Sequence, residues 1–170
     1  MWVDAAGASR GVAAVVLLAG RLLYTATTTP DEVMAQLIPR LDNYIGCQEM
    51  LSVTLGITTF RSLIQGCLLL VFTDNQGVRS GLIRGGNRSP EVSTLVNYYW
   101  CQMTFDQVGA YAARVESHSN IADGPSRNRL TVLSRLGAEC WQHQWPWYVN
   151  HLWDEVSTSP FERGSTTLST

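Results

Sequence analysis

The sequence predicts an α/β domain, and three observations predict it. Three short segments rich in β-branched and aromatic residues open the chain: Trp2 to Ala5, Val12 to Leu18 and Arg21 to Ala26. A continuous apolar run from Cys67 to Thr73 stops at Asp74-Asn75-Gln76-Gly77, as expected for a buried central strand whose C-terminal end carries polar function. The stretch Pro90 to Met103 repeats apolar residues at helical spacing, with Ser89 as N-cap and Pro90 at the first helical position.

Taken in order, the first three segments read as an antiparallel meander with a turn at Ala19-Gly20. Thr29-Pro30-Asp31-Glu32 starts a helix, which Pro39 stops, leaving Val33 to Ile38 as one or two turns. From Leu51 to Thr58 apolar residues alternate with Ser52, Thr54, Gly56 and Thr58, a strand pattern by periodicity; a helix over Tyr44 to Phe60 is the competing reading. The helix Pro90 to Met103 presents Val92, Leu95, Val96, Tyr99, Trp100 and Met103 on one face. Tyr111 to Val115 alternates like a strand, Ser117 to Asn120 reads as a loop, and Asn128 to Gln142 as helical around Leu130, Leu133 and Leu136. The segment 131–156 is expected to be a helical, tryptophan-rich extension packed on a domain of residues 1–130. The Ser/Thr-rich end, 157–170, is expected to be disordered.

Composition narrows the function classes. The chain has 170 residues, 45% of them hydrophobic, enough for one domain with a core. Charged residues make up 15% and the formal net charge is -2, so no global positive field attracts nucleic acid, and any such contact is local. Cys47, Cys67, Cys101 and Cys140 are widely spaced, with no C-x-x-C pair, so neither a zinc site nor a disulfide scaffold is suggested. Reduced thiols and an intracellular setting, cytoplasm or nucleus, are expected. The apolar run Val12 to Leu18 is broken by Gly20 and Arg21 well short of the roughly 20 residues a membrane span needs, and Asp4 stands where a positive leader belongs.

Four acids stand in contexts that point to metal chemistry: Asp4 in Trp2-Val3-Asp4-Ala5, Glu49 in Gln48-Glu49-Met50, Asp74 after Phe72-Thr73, and Asp123 in Ala122-Asp123-Gly124. Carboxylates gathered at strand and helix ends suit hard divalent cations, which prefer oxygen ligands. The run Phe72-Thr73-Asp74-Asn75-Gln76-Gly77-Val78, then Gly85-Gly86-Asn87-Arg88-Ser89, then Trp100, then Val115 to Arg127 with Asn120-Ile121-Ala122-Asp123-Gly124-Pro125-Ser126-Arg127, resembles the ribonuclease H domain of reverse-transcribing elements, particularly DIRS-type and related retrotransposons. The resemblance covers Trp2 to Arg127.

That resemblance implies a ribonuclease H-like fold with a mixed five-stranded sheet flanked by helices. It implies that Asp4, Glu49, Asp74 and Asp123 hold two Mg²⁺, with Mn²⁺ as a substitute, about 3.5–4 Å apart around a scissile phosphate. Glu49 must then be helical. The implied activity is endonucleolytic hydrolysis of the RNA strand of an RNA–DNA hybrid, with a polymerase domain as a further partner and no membrane partner. The alternative is a non-catalytic module that supports a reverse transcriptase or binds a partner. A metal-dependent exonuclease or recombinase of the same fold class is a third reading, disfavoured for the exonuclease by the lack of a first-strand Asp-x-Glu.

Each residue also has an ordinary role. Asp4 and Asp74 suit strand-end caps, Glu49 a solvent-facing position, and Asp123 an N-cap that is compatible with metal binding. His118 occupies the place where ribonuclease H enzymes often carry a mobile histidine, though a surface histidine is the simpler reading. Asn75, Arg79, Arg84 and Arg88 follow Asp74 and suit a phosphate backbone that Gly85-Gly86 lets approach closely, or a solvated helix face. Trp141, Trp145, Trp147 and Trp153, flanked by His143 and His151, suit base stacking or, more simply, packing.

Overall fold

The structure is a computed structural model and describes residues 1–37 and 44–151. Strands β1 (Trp2–Ala6), β2 (Gly11–Leu18) and β3 (Arg21–Thr28) form the expected antiparallel meander. Ala19 and Gly20 close its second hairpin with both φ angles positive, 48° and 78°, the two-residue turn whose hand matches strand twist. On the other side of β1, β4 (Leu68–Thr73) and β5 (Gly109–Arg114) add in parallel. A two-residue β6 (Glu139–Cys140) pairs in parallel with β3. The order is β5-β4-β1-β2-β3-β6, a mixed sheet of six strands rather than the five expected.

The sixth strand arises where the sequence pattern suggested helix. Only α7 (Thr131–Arg135) is helical within 128–142, because Gly137 takes a left-handed conformation, φ 67°, and the Ala138 N–H turns back to the Leu133 carbonyl. Freed from the helix, the chain runs extended along β3, and Glu139 meets Arg21 there at 2.6 Å.

Helix α1 (Asp31–Leu37) follows β3, and its expected stop at Pro39 lies outside the described residues, as do Trp153 and the tail 157–170. The ambiguous segment is helical: α2 (Ile45–Thr59) carries Glu49. Every residue from Cys47 to Ile57 is buried, so no polar stripe marks a helical period, and the alternation misleads. The small polar residues are accommodated by bonding back to the preceding turn, Ser52 Oγ to Glu49 O at 2.6 Å and Thr54 Oγ1 to Leu51 O at 2.9 Å. Each fully buried Leu, Ile or Val here contributes about 1.5–3 kcal/mol of hydrophobic stabilisation. Gly56 lets the helix lie close to the sheet, since a Cβ there would stand 2.7 Å from Met1 Sδ and 2.8 Å from Ala14 Cβ.

The short α3 (Arg61–Ile64) leads into β4, after which α4 (Gln76–Arg84) and α5 (Pro90–Phe105) cross back over the sheet. Ser89 caps α5 by accepting the Val92 N–H, and Val92, Leu95, Val96, Tyr99 and Met103 are its buried face. Trp100 is partly exposed and donates its indole N–H to Leu82 O at 3.0 Å.

Side chains alternate across the sheet. Val3, Ala14, Val16 and Val71 face the layer of α2, α4 and α5. Trp2 and Val15 face the opposite side, covered by α6 (Asp123–Ser126) and α7 through Ala122 and Leu133. That second cover stops short of β4 and β5. β4 lies second from the sheet edge and, beyond that cover, is buried on one face only, not the buried central strand expected: Leu68 is 91% exposed and Leu70 53%. Trp141 packs on Phe60, and Trp145 lies against the main core. Trp147 is largely exposed, edge-on to Tyr148, which in turn stacks on Tyr98. Among the described residues, no helix is long and apolar enough to cross a membrane.

Candidate metal centre

Strands β1 and β4 are registered at Trp2 and Phe72, whose rings stack at 5.2 Å. Two residues further along each strand stand Asp4 and Asp74. The chain leaves β1 toward β2 on one side and leaves β4 toward α4 and β5 on the other, so the two acids flank a topological switch point, where open α/β sheets form crevices at strand carboxyl ends. Glu49 reaches the same place from α2, the layer above β1. One ligand oxygen each from Asp4, Glu49 and Asp74 lie within 4.8 Å of one another.

Burial and mutual repulsion set the electrostatics. Burial first, then the Asp4 and Asp74 charges, push the Glu49 carboxyl up to about 9, opposed by the Ala5 backbone N–H and by Arg127. Burial raises Asp4 to about 6 against the lowering effect of its Ser126 hydrogen bond, with the Asp74 and Asp123 charges adding to the rise. Glu49 is 5% exposed, and its Oε2 has no hydrogen-bond partner. A buried carboxylate oxygen left without a partner is costly unless something supplies positive charge. An all-carboxylate donor set with one such orphaned oxygen fits a hard divalent cation.

Asp123 stands apart from these three. Its Oδ1 accepts from Arg127 Nε at 2.7 Å and its Oδ2 from Arg129 Nη2 at 3.1 Å. It lines a cavity of about 490 Å³ with Asn120, Arg129 and His118, the last exposed in a 3₁₀ turn over Ser117–Ser119. Of the residues considered for nucleic acid, Asn75 caps α4 by accepting the Val78 N–H at 3.0 Å. Arg79 and Arg84 lie on α4, Arg79 with a buried Nε and Arg84 exposed, and Arg88 is exposed in the loop before α5.

Two residues that the sequence did not single out by role complete the centre. Asn120 donates to Val3 O at 2.9 Å and to Asp4 Oδ1 at 3.4 Å, and the Ser126 hydroxyl donates to Asp4 Oδ2. Both lie in the segment around Asp123 whose wording carries the family resemblance, and that spacing was the available signal. Compared with protein-family models, curated proteins and solved structures, the chain has no significant match.

Proposed function

We propose that this protein is a divalent-metal-dependent phosphodiester hydrolase of ribonuclease H-like fold that cuts the RNA strand of RNA–DNA hybrids. The observation that carries the reading is the convergence of Asp4, Glu49 and Asp74 to within 4.8 Å, with an unpartnered buried oxygen on Glu49. The strand order supports it further: an antiparallel meander, then two parallel strands added on the far side of β1, with Asp4 within β1 and Asp74 directly after β4. A bound Mg²⁺ or Mn²⁺ supplies a lowered pKa for a coordinated water and neutralises charge on a phosphoryl oxygen. The chain's own part is to hold three carboxylates at one point and to keep Glu49 dry. In this reading Arg79, Arg84 and Arg88, the cations on α4 and in the loop after it, would contact the nucleic-acid backbone.

The test is Mg²⁺-dependent cleavage of a labelled RNA–DNA hybrid by the intact protein and by Asp74→Asn. Cleavage by the wild type that Asp74→Asn abolishes supports the reading, and equal cleavage by both refutes it. A second reading, a non-catalytic module that docks on a polymerase domain, is favoured by the apolar strip of Leu68, Leu70 and Tyr111 on the uncovered half of the sheet. It expects no cleavage by the wild type and association through that strip.

A further inference from the structure

Asp4 is held by a part of the chain far from it in sequence. Its two carboxylate oxygens each receive one donor, Asn120 Nδ2 at Oδ1 and Ser126 Oγ at Oδ2, and both donors are buried. Asn120 is itself pinned, because its amide also donates to Val3 O and its Oδ1 accepts the Ala122 N–H at 3.2 Å. The Ser126 hydroxyl has a single proton and two acceptors in reach, Asp4 and the Asp123 carbonyl at 3.0 Å. A carboxylate is the stronger acceptor and takes it. The approach is made by Gly11 on β2: a Cβ at that position would stand 1.8 Å from the Ser126 carbonyl oxygen. Any side chain at 11 must therefore move the segment that carries Ser126.

We propose that Ser126 and Asn120 are positioning residues for metal binding, fixing the plane of the Asp4 carboxylate toward Glu49 and Asp74, with Gly11 as the gap that admits Ser126. The inference rests on the reading of the three acids as a metal centre. An aspartate side chain turns about two bonds, and a ligand oxygen is pre-set only when its outer partners hold that rotation. Neither residue reaches an ion or a substrate in this scheme. Their effect passes through Asp4, so it is read in metal affinity rather than in fold stability.

The experiment measures Mn²⁺ binding by electron paramagnetic resonance, with metal-free thermal unfolding alongside, for the wild type and for Ser126→Ala, Ser126→Thr and Asn120→Ala. Outer partners of ligands typically change affinity 10–100-fold, so Ser126→Ala is expected to bind Mn²⁺ about tenfold more weakly while unfolding within a few degrees of the wild type. Ser126→Thr, which keeps the hydroxyl, should recover most of that loss, and Asn120→Ala should weaken binding by a separate route. Wild-type affinity in both Ser126→Ala and Asn120→Ala overturns the inference and leaves the metal centre standing. Equal weakening in Ser126→Ala and Ser126→Thr also overturns it, since packing rather than the hydroxyl would be responsible. A wild type that binds no Mn²⁺ overturns the metal centre itself, and the inference with it.

Discussion

Arg127 donates its Nε–H to the Asp123 carboxylate at 2.7 Å from four residues along the same short turn. The fourth acid that the sequence pattern grouped with the metal cluster is thus paired with a guanidinium, and Arg129 holds its other oxygen. The positive field of Arg127 also reaches Asp4 and Glu49, lowering both. Arg127 acts as a resident counter-charge to the acidic cluster.

Replacing that charge should strengthen cation binding. Arg127→Gln removes a competing cation and releases one oxygen of Asp123, and both effects act in the same direction. For a half-exposed, screened charge the gain is about fivefold in affinity. Calorimetric titration with Mn²⁺ at low ionic strength checks it, and weaker binding would show that Arg127 serves the site rather than opposing it.

The Glu49 contribution to metal-free stability should fall as pH rises, opposed between about pH 5 and 8 by the Met1 amino group, which burial lowers to about 5. Glu49 titrates near its ordinary value in the unfolded chain and near 9 in the fold. Between those values the folded state binds more protons than the unfolded one, so stability is full below about pH 4.5 and is lost as pH climbs through 9. Asp4, raised to about 6, adds a smaller loss in the lower part of that window. The Glu49 contribution has a slope of about 1.4 kcal/mol per pH unit. Urea unfolding in chelator at pH 5.5, 7 and 8.5 measures it as the difference between wild type and Glu49→Gln, in which the falling component should be gone. An unchanged slope in that variant would remove Glu49 as its source.

Gly56 and Glu49 lie seven residues, about two turns, apart and on the same side of α2. The close contact at Gly56 therefore sets the height at which Glu49 meets Asp4. Gly56→Val should destabilise the protein by about 2 kcal/mol or more through overpacking against Met1 and Ala14, and should weaken Mn²⁺ binding as well. Urea unfolding and Mn²⁺ titration together test this; a loss of stability with full metal affinity would uncouple the two residues.

Leu133, 1% exposed, anchors α7 beneath the second face of the sheet with Val15 and Ala122. Leu133→Ala should cost about 2–4 kcal/mol in urea unfolding. Amide exchange should quicken in residues 117–135 before it does in β2, and uniform quickening would mean that this cover and the sheet open as one unit.

The meander, the helix after Pro90 and the strand ending at Asp74 were legible because each carries a local cue: a turn pair, a cap, or an apolar run with an abrupt polar end. Helix α2 was not, since burial on all sides erases the periodicity that reveals a surface helix, and its Ser and Thr hydroxyls are satisfied within the turn rather than by solvent. β6 was missed because a single left-handed glycine, Gly137, outweighs the leucine spacing around it. At the candidate site, the sequence put all four acids in one group, and the fold brings Asp4, Glu49 and Asp74 together. Asp123 belongs to the same pattern as the other three, and only the fold shows its oxygens occupied by Arg127 and Arg129.

The donors to Asp4 come from residues 116 and 122 positions later in the chain. During synthesis, which proceeds from the N-terminus at about 5–20 residues per second, the first acid is therefore made many seconds before the groups that hold it. A nascent chain exposed as far as Asp74 has all three acids and lacks Asn120 and Ser126. Its centre closes only when the segment through Ser126 has left the ribosome and docked beneath the sheet.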